Sequence, residues 1–117
     1  PTASPREGMF PGRYAFRLMV GSGLYAWCES IDVQEDIEIR AGSSQSISGR
    51  GFTDLRFKSA PDGSIAATLQ GVSARSGGNG DTKLSGRATT TGYSGTYQWR
   101  DGAVGCTGQW TLERKGN

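Results

Sequence analysis

Five carboxylates, Glu29, Asp32, Glu35, Asp36 and Glu38, fall close together in this chain, and it contains no histidine. Without histidine, Ser-His-Asp and Cys-His nucleophilic arrangements and every His-containing metal site are excluded. A thiolate nucleophile needs a neighbouring base or a positive field, and Cys28 and Cys106, if paired in a disulfide, cannot supply one. Paired carboxylates can still serve as general acid and base, provided the fold turns two of them to face each other. A charge run is first of all a solvated loop, so the expectation is a protein that is not an enzyme. The same oxygens, or Asn79 and Asp81, could ligate calcium, but neither segment matches a calcium loop, and no metal or cofactor is expected. Gly77-Gly78-Asn79-Gly80 resembles a phosphate cradle only superficially. No Lys-Ser/Thr follows it and no helix succeeds it, so it reads as a hairpin loop.

The aromatic residues Tyr25, Trp27, Tyr93, Tyr97, Trp99 and Trp110 could stack on a sugar or an apolar ligand. Trp99 and Trp110 alternate with small residues, as core positions do. Tyr25 and Trp27 instead adjoin Cys28 and the acidic segment. The candidate binding residues are therefore Tyr25, Trp27, Glu29, Asp32, Glu35, Asp36, Asn79 and Asp81, carried on the segments Glu29 to Asp36 and Ser76 to Asp81. Loops on a rigid scaffold commonly carry recognition.

The elements that must hold these loops are strands. No window of helical length carries an i, i+3, i+4, i+7 apolar pattern without an interrupting Gly or Pro, whereas alternation recurs along the whole chain. Tyr14, Phe16, Leu18 and Val20 share one face of a first strand. Gly21-Ser22-Gly23 reads as a turn, and Leu24 to Cys28 as the start of a second strand ending in the acidic segment. Ile37 and Ile39 resume the pattern, Ile47 marks a short strand, and Leu55 and Phe57 form the next. Pro61-Asp62-Gly63 turns the chain into Ile65, Ala67 and Leu69. Three closing strands follow, with Leu84, Gly86 and Ala88, then Tyr93, Gly95, Tyr97 and Trp99, then Cys106, Gly108, Trp110 and Leu112 inward. Turns separate them at Thr91-Gly92 and Asp101-Gly102. The inward glycines Gly86, Gly95 and Gly108 alternate with large aromatics, a pattern that fills or bends a tight barrel, or lets a ligand reach the backbone. The fold expected is all-β, a small antiparallel barrel or sandwich of about seven to nine short strands. Closure is favoured because it removes exposed edges.

At 117 residues the chain has the size of one domain. Residues 12–115 form it, after an N-terminal spacer of residues 1–11 and before a tail of residues 116–117. Glycine, at 19 residues, runs at more than twice the average usage of about 7%, which suits a chain made of turns. Thirteen Lys and Arg against eleven Asp and Glu leave a net charge of +2, spread along the sequence, so nucleic acid is not an expected partner. No run of about 18 apolar residues offers a membrane span. Pro1-Thr2-Ala3-Ser4-Pro5 reads as a spacer of the kind that follows a removed leader or separates a domain from an anchor. Cys28 and Cys106 form either one bridge or two buried thiols. A bridge would contribute about 4 to 5 kcal/mol in the chain-entropy account, most useful to a small Gly-rich domain, and would imply an oxidising compartment.

The run Leu84-Ser85-Gly86-Arg87, then Tyr93-Ser94-Gly95-Thr96-Tyr97, then Cys106-Thr107-Gly108-Gln109-Trp110-Thr111-Leu112-Glu113-Arg114 resembles a loose group of small exported bacterial proteins. In that group G-x-L-S-G leads to S-G-x-W and then to C-x-G-x-W-x-x-x-R. Gly12-Arg13-Tyr14, Cys28, Ile47-Ser48-Gly49 and Asp62-Gly63 match its earlier positions. Tyr97 stands where Trp is more usual, and Glu29 to Asp36 is unusually acidic. The resemblance implies a secreted or periplasmic β-rich domain with Cys28 paired to Cys106, and no particular activity.

Together these readings predict an exported, non-enzymatic binding or interaction module, as a separate domain or an accessory subunit of a larger assembly, with a protein partner favoured over a small ligand. The alternative is a lipocalin-like carrier holding a small molecule inside the barrel.

Overall fold

The structure, a computed structural model, describes residues 11–19, 21–23, 28–29, 31–40, 46–49, 52–60, 62–73, 79–101 and 104–115. These residues form nine strands and no α-helix: β1 (Gly12–Leu18), β2 (Ser22–Gly23), β3 (Val33–Ile39), β4 (Ile47–Gly49), β5 (Phe52–Ser59), β6 (Ser64–Ser73), β7 (Asn79–Ala88), β8 (Gly92–Asp101) and β9 (Val104–Arg114). Eight of them make one antiparallel sheet in the order β3-β1-β9-β8-β7-β6-β5-β4, with β2 added to β9. From β4 to β9 each strand lies beside its neighbour in the chain, and β1 closes onto β9, the order of an up-and-down barrel. Among the described residues no ladder joins β3 to β4, so the barrel is nearly closed and carries one seam. Residues 1–10 of the spacer and the tail lie outside the described residues.

Alternation decides which side chains go inside. Tyr14, Phe16 and Leu18 of β1 are buried while Arg13 and Arg17 are exposed, and Ile65, Ala67 and Leu69 of β6 alternate with exposed Ala66, Thr68 and Gln70. One core cluster results, in which Trp99, Trp110, Tyr14, Tyr97 and Phe16 are the largest fully buried side chains. Phe16 meets the ring of Phe52 edge-on at 5.8 Å and that of Phe57 at 6.3 Å, and Phe57 lies 6.3 Å from Trp110. Such offset geometries suit the quadrupoles of the rings.

Three bulges bend the wall. Between the pairs Leu18 to Trp110 and Ser22 to Thr107, the β1–β2 side advances four residues and β9 three. Between Gly49 to Phe52 and Ile47 to Leu55, the extra residue lies on β5, so Phe52 and Leu55 both point inward although three apart. On β6 the shift falls between Leu69 and Val72 and includes Gly71 at φ +84°, a left-handed conformation that glycine adopts without a side-chain clash.

Three boundaries differ from the alternation pattern. Ser22–Gly23, which reads as a turn, is strand β2, because the chain beyond the first bulge stays paired to Cys106 and Thr107. The acidic segment is not one solvated loop. Strand β3 begins at Val33 and carries Glu35, Asp36 and Glu38 along β1. Asn79 and Asp81, expected in a loop, are the first and third residues of β7. The turn at Asp62-Gly63 forms as expected: the Asp62 carboxylate accepts from the Ser64 N–H at 2.9 Å and its hydroxyl at 2.7 Å. This pairing holds the Asp62 carboxyl below the usual carboxylate range.

Candidate functional site

The bridge is present: Cys28 and Cys106 form a disulfide with their Cα atoms 5.6 Å apart. Cys106 is an inward residue of β9, and Cys28 lies with Glu29 in one short turn between β2 and β3. The disulfide therefore fastens the long β1-to-β3 connection across one end of the barrel. The up-and-down topology brings to that same end the start of β7, the end of β8 and the start of β9.

Two rings from β8 brace this end from inside. Tyr97 faces Gly108 across the β8–β9 ladder, and a Cβ on Gly108 would stand 2.5 Å from its ring. The phenol thus lies over β9, and its hydroxyl donates at 2.7 Å to the Met19 carbonyl in the first bulge. Gly21 is bare for the same reason, since its Cβ would stand 2.8 Å from that hydroxyl. Trp99, two residues on, reaches the opposite way across β7, and its indole N–H donates at 2.8 Å to the Val72 carbonyl just past the β6 bulge. Trp110 repeats the device from β9, donating at 3.1 Å to Ser85 O on β7 beyond its register partner Gly95. A Cβ on Gly95 would collide with the Ser85 carbonyl. The inward glycines therefore accommodate the protein's own rings and the close approach of its own strands. Burial, with the Asp32 carboxylate adding to it, pushes the Tyr97 hydroxyl pKa up to about 12.

The candidate residues separate into three environments. Glu29 and Asp32 are exposed at the disulfide end, and Asn79 and exposed Asp81 open β7 at the same end. Asp81 stands opposite Arg100 of β8, a rim cation that only the strand register reveals. Asp36 lies on the outer wall instead, where its carboxylate accepts from Lys115 Nζ at 2.7 Å. Glu35 shares the inward side of β3 with Val33 and Ile37, opposite Phe16 of β1, and is half-buried. A Cβ on Gly49 of β4 would lie 3.0 Å from its Cγ and 2.8 Å from the Phe52 ring, which puts Glu35 at the seam. Tyr25 and Trp27 lie outside the described residues. The acidic run is thus divided by strand alternation, and the Glu35 and Asp36 carboxyls point to opposite sides of the wall.

The outer wall is polar. Gln34, Asp36 and Glu38 of β3, Arg56 and Lys58 of β5, Lys83 and Arg87 of β7 and Gln98 of β8 are all exposed, where a lipid-facing barrel carries an apolar band. No helix among the described residues is long and apolar enough to cross a membrane. Thr82 stands out inside: it is buried between register partners Leu69 and Trp99, and its hydroxyl has no hydrogen-bond partner among the described residues. No protein-family model, curated protein or solved structure matches the chain.

Proposed function

We propose that this domain is an exported, non-enzymatic interaction module that presents its disulfide-fastened rim, with Glu29, Asp32, Asn79 and Asp81, to a protein partner. The observation that supports the reading is the cross-braced aromatic core. Phe16, Phe52, Trp99 and Trp110 are buried in one core with Phe57 packed against it, and Tyr97, Trp99 and Trp110 are tied to backbone carbonyls across the wall. Rings held in place by such bonds favour recognition on the outside of the barrel. The disulfide supports an oxidising, extracytoplasmic setting, periplasmic or extracellular.

A second reading, a carrier of a small molecule, draws on the up-and-down strand order and on the seam where Glu35 meets Gly49 and Phe52. Native mass spectrometry of the protein isolated gently from its own source separates the two. The interaction module predicts a heteromeric complex that the charge reversals Glu29→Lys, Asp32→Lys and Asp81→Lys dissociate. A lone monomer with a discrete small adduct would overturn it in favour of the carrier.

A further inference from the structure

The net charge of +2 hides an uneven distribution, and the register shows where the excess lies. On the outer face of β5, β6 and β7, Arg56, Thr68 and Lys83 stand side by side, as do Lys58, Ala66 and Ser85, and Arg87 lies beside Ser64. Arg56, Lys58, Lys83 and Arg87 are all exposed. They frame a floor of small side chains that holds no carboxylate and no aromatic ring. Sheet geometry puts Arg56 and Lys83 about 10 Å apart across two strand spacings, and Arg56 and Lys58 about 7 Å apart along β5. The nearest acids lie on the border. Asp54 is held by the Ser46 hydroxyl and by Arg56, Asp81 lies two residues from Lys83 on the outward side of β7 and opposite Arg100, and Asp62 is turned onto Ser64 while its backbone carbonyl accepts from Arg87. Lys58 and Lys83 form no ion pair among the described residues. On the far wall, by contrast, cations and acids are matched: Arg13 faces Glu38 in the register and Lys115 pairs with Asp36.

We propose that this face of β5 to β7 binds an acidic polysaccharide, with Lys58, Lys83, Arg56 and Arg87 engaging its sulfate or carboxylate groups. The site adjoins the rim, whose Asp81 is two residues from Lys83 on β7, and extends the function beyond it. A protein partner is disfavoured here because protein interfaces centre on buried aromatic, Met or other apolar anchors, and the floor is Ala66, Thr68 and Ser85. A neutral sugar would need an exposed ring to stack on. Single-stranded nucleic acid would equally need stacking platforms. What the face offers is a rigid lattice of cations over small residues, which long anionic chains can approach closely and bind in a salt-dependent way.

The test is retention of the full chain on immobilised heparin, with solution titrations of heparin, neutral dextran and duplex DNA over a salt series. The wild-type protein binds heparin and not dextran. The double variant Lys58→Gln/Lys83→Gln binds heparin at least about tenfold more weakly at low salt, and its log K against log salt slope is shallower by about two, one for each cation lost. The control Arg13→Gln/Arg17→Gln removes the same charge from the far wall and retains wild-type affinity. Unchanged melting temperatures verify that both variants are folded. Equal losses in the two variants, no heparin binding by the wild type, or tighter binding to DNA than to heparin would each overturn the proposal.

Discussion

The Tyr97 hydroxyl donates a 2.7 Å hydrogen bond to the carbonyl oxygen of Met19, joining β8 to the β1–β2 bulge over the bare backbone of Gly108. A bulge frees a carbonyl from the ladder, and a buried carbonyl without a donor is costly. The ring meets that need from two strands away because the strand between them carries glycine. Trp99 does the same for Val72 in the other direction, so adjacent inward positions of β8 brace both flanks of the disulfide end.

The bond and the glycine are coupled. Tyr97→Phe removes the donor and is expected to lower stability by about 1 to 2 kcal/mol. Gly108→Ala is expected to cost about 1 to 3 kcal/mol by pressing a methyl group into the ring. In urea denaturation, the alanine should cost much less when residue 97 is already Ala, whereas simple additivity would deny the coupling.

Tyr97 also sets a limit at high pH. Its hydroxyl pKa is raised to about 12 from an ordinary value near 10, so the folded state holds this proton more tightly than the unfolded chain does. The associated stability is complete below pH 10 and is lost as pH rises from about 10 to about 12. Tyr93, whose pKa burial also raises, adds a loss of the same sign. Tyr97→Phe should show a flatter stability profile over that window, measured by denaturant unfolding at each pH. An identical profile would exclude Tyr97 as its source.

Thr82 offers a change in the opposite direction. Its buried hydroxyl has no partner among the described residues, and Val has nearly the same shape without the polar atom. Thr82→Val is expected to stabilise the barrel by about 1 kcal/mol, because the desolvation cost of the unpaired hydroxyl disappears. A lower melting temperature for the variant would show that the hydroxyl is satisfied in solution.

The disulfide closes a loop between residues 78 positions apart. Cys28→Ser/Cys106→Ser is expected to lower stability by about 4.5 kcal/mol in the chain-entropy account. Because the bridge fastens the long connection rather than the β4-to-β8 meander, amide exchange should rise first in β2 and at the start of β9. Protection lost uniformly over all strands would refute this order.

Glu35 lies on β3, the strand at one end of the sheet order. It points inward on β3 at the seam, and a charge at such a position discourages another chain from adding a strand there. Glu35→Val is expected to shift the protein toward dimers and larger species in sedimentation as concentration rises, whereas Asp36→Val, on the outer side of the same strand, should do so less.

Much of the wall is legible before any coordinates, because period-two alternation depends only on the pleat. Tyr14 to Leu18, Ile65 to Leu69 and the three closing strands follow from it, except that Ala88, expected inward, is exposed where β7 ends. It fails where local chemistry contradicts the long-range pairing. Glu35 occupies an inward position that the pattern reserves for an apolar residue, so alternation alone starts β3 at Ile37, and Ser22-Gly23 has turn composition yet pairs with β9. The candidate residues Glu29, Asp32, Asn79 and Asp81 can be named from their types, but nothing local says that they share one end of the barrel.

By itself the sequence determined the fold class, the inward and outward faces of most strands, the absence of histidine chemistry and the two cysteines available for one bridge. These properties are local or compositional, set by side-chain type and a two-residue period. Only the tertiary structure decided that β1 closes onto β9, that the acidic run is divided between the seam and the outer wall, that the glycines lie beneath Tyr97 and beside Trp110, and that Arg56, Lys58, Lys83 and Arg87 share one face. Each of these depends on register between strands far apart in the chain. A one-residue slip in that register exchanges every inward side chain for an outward one, and only packing of the whole barrel selects among the slips.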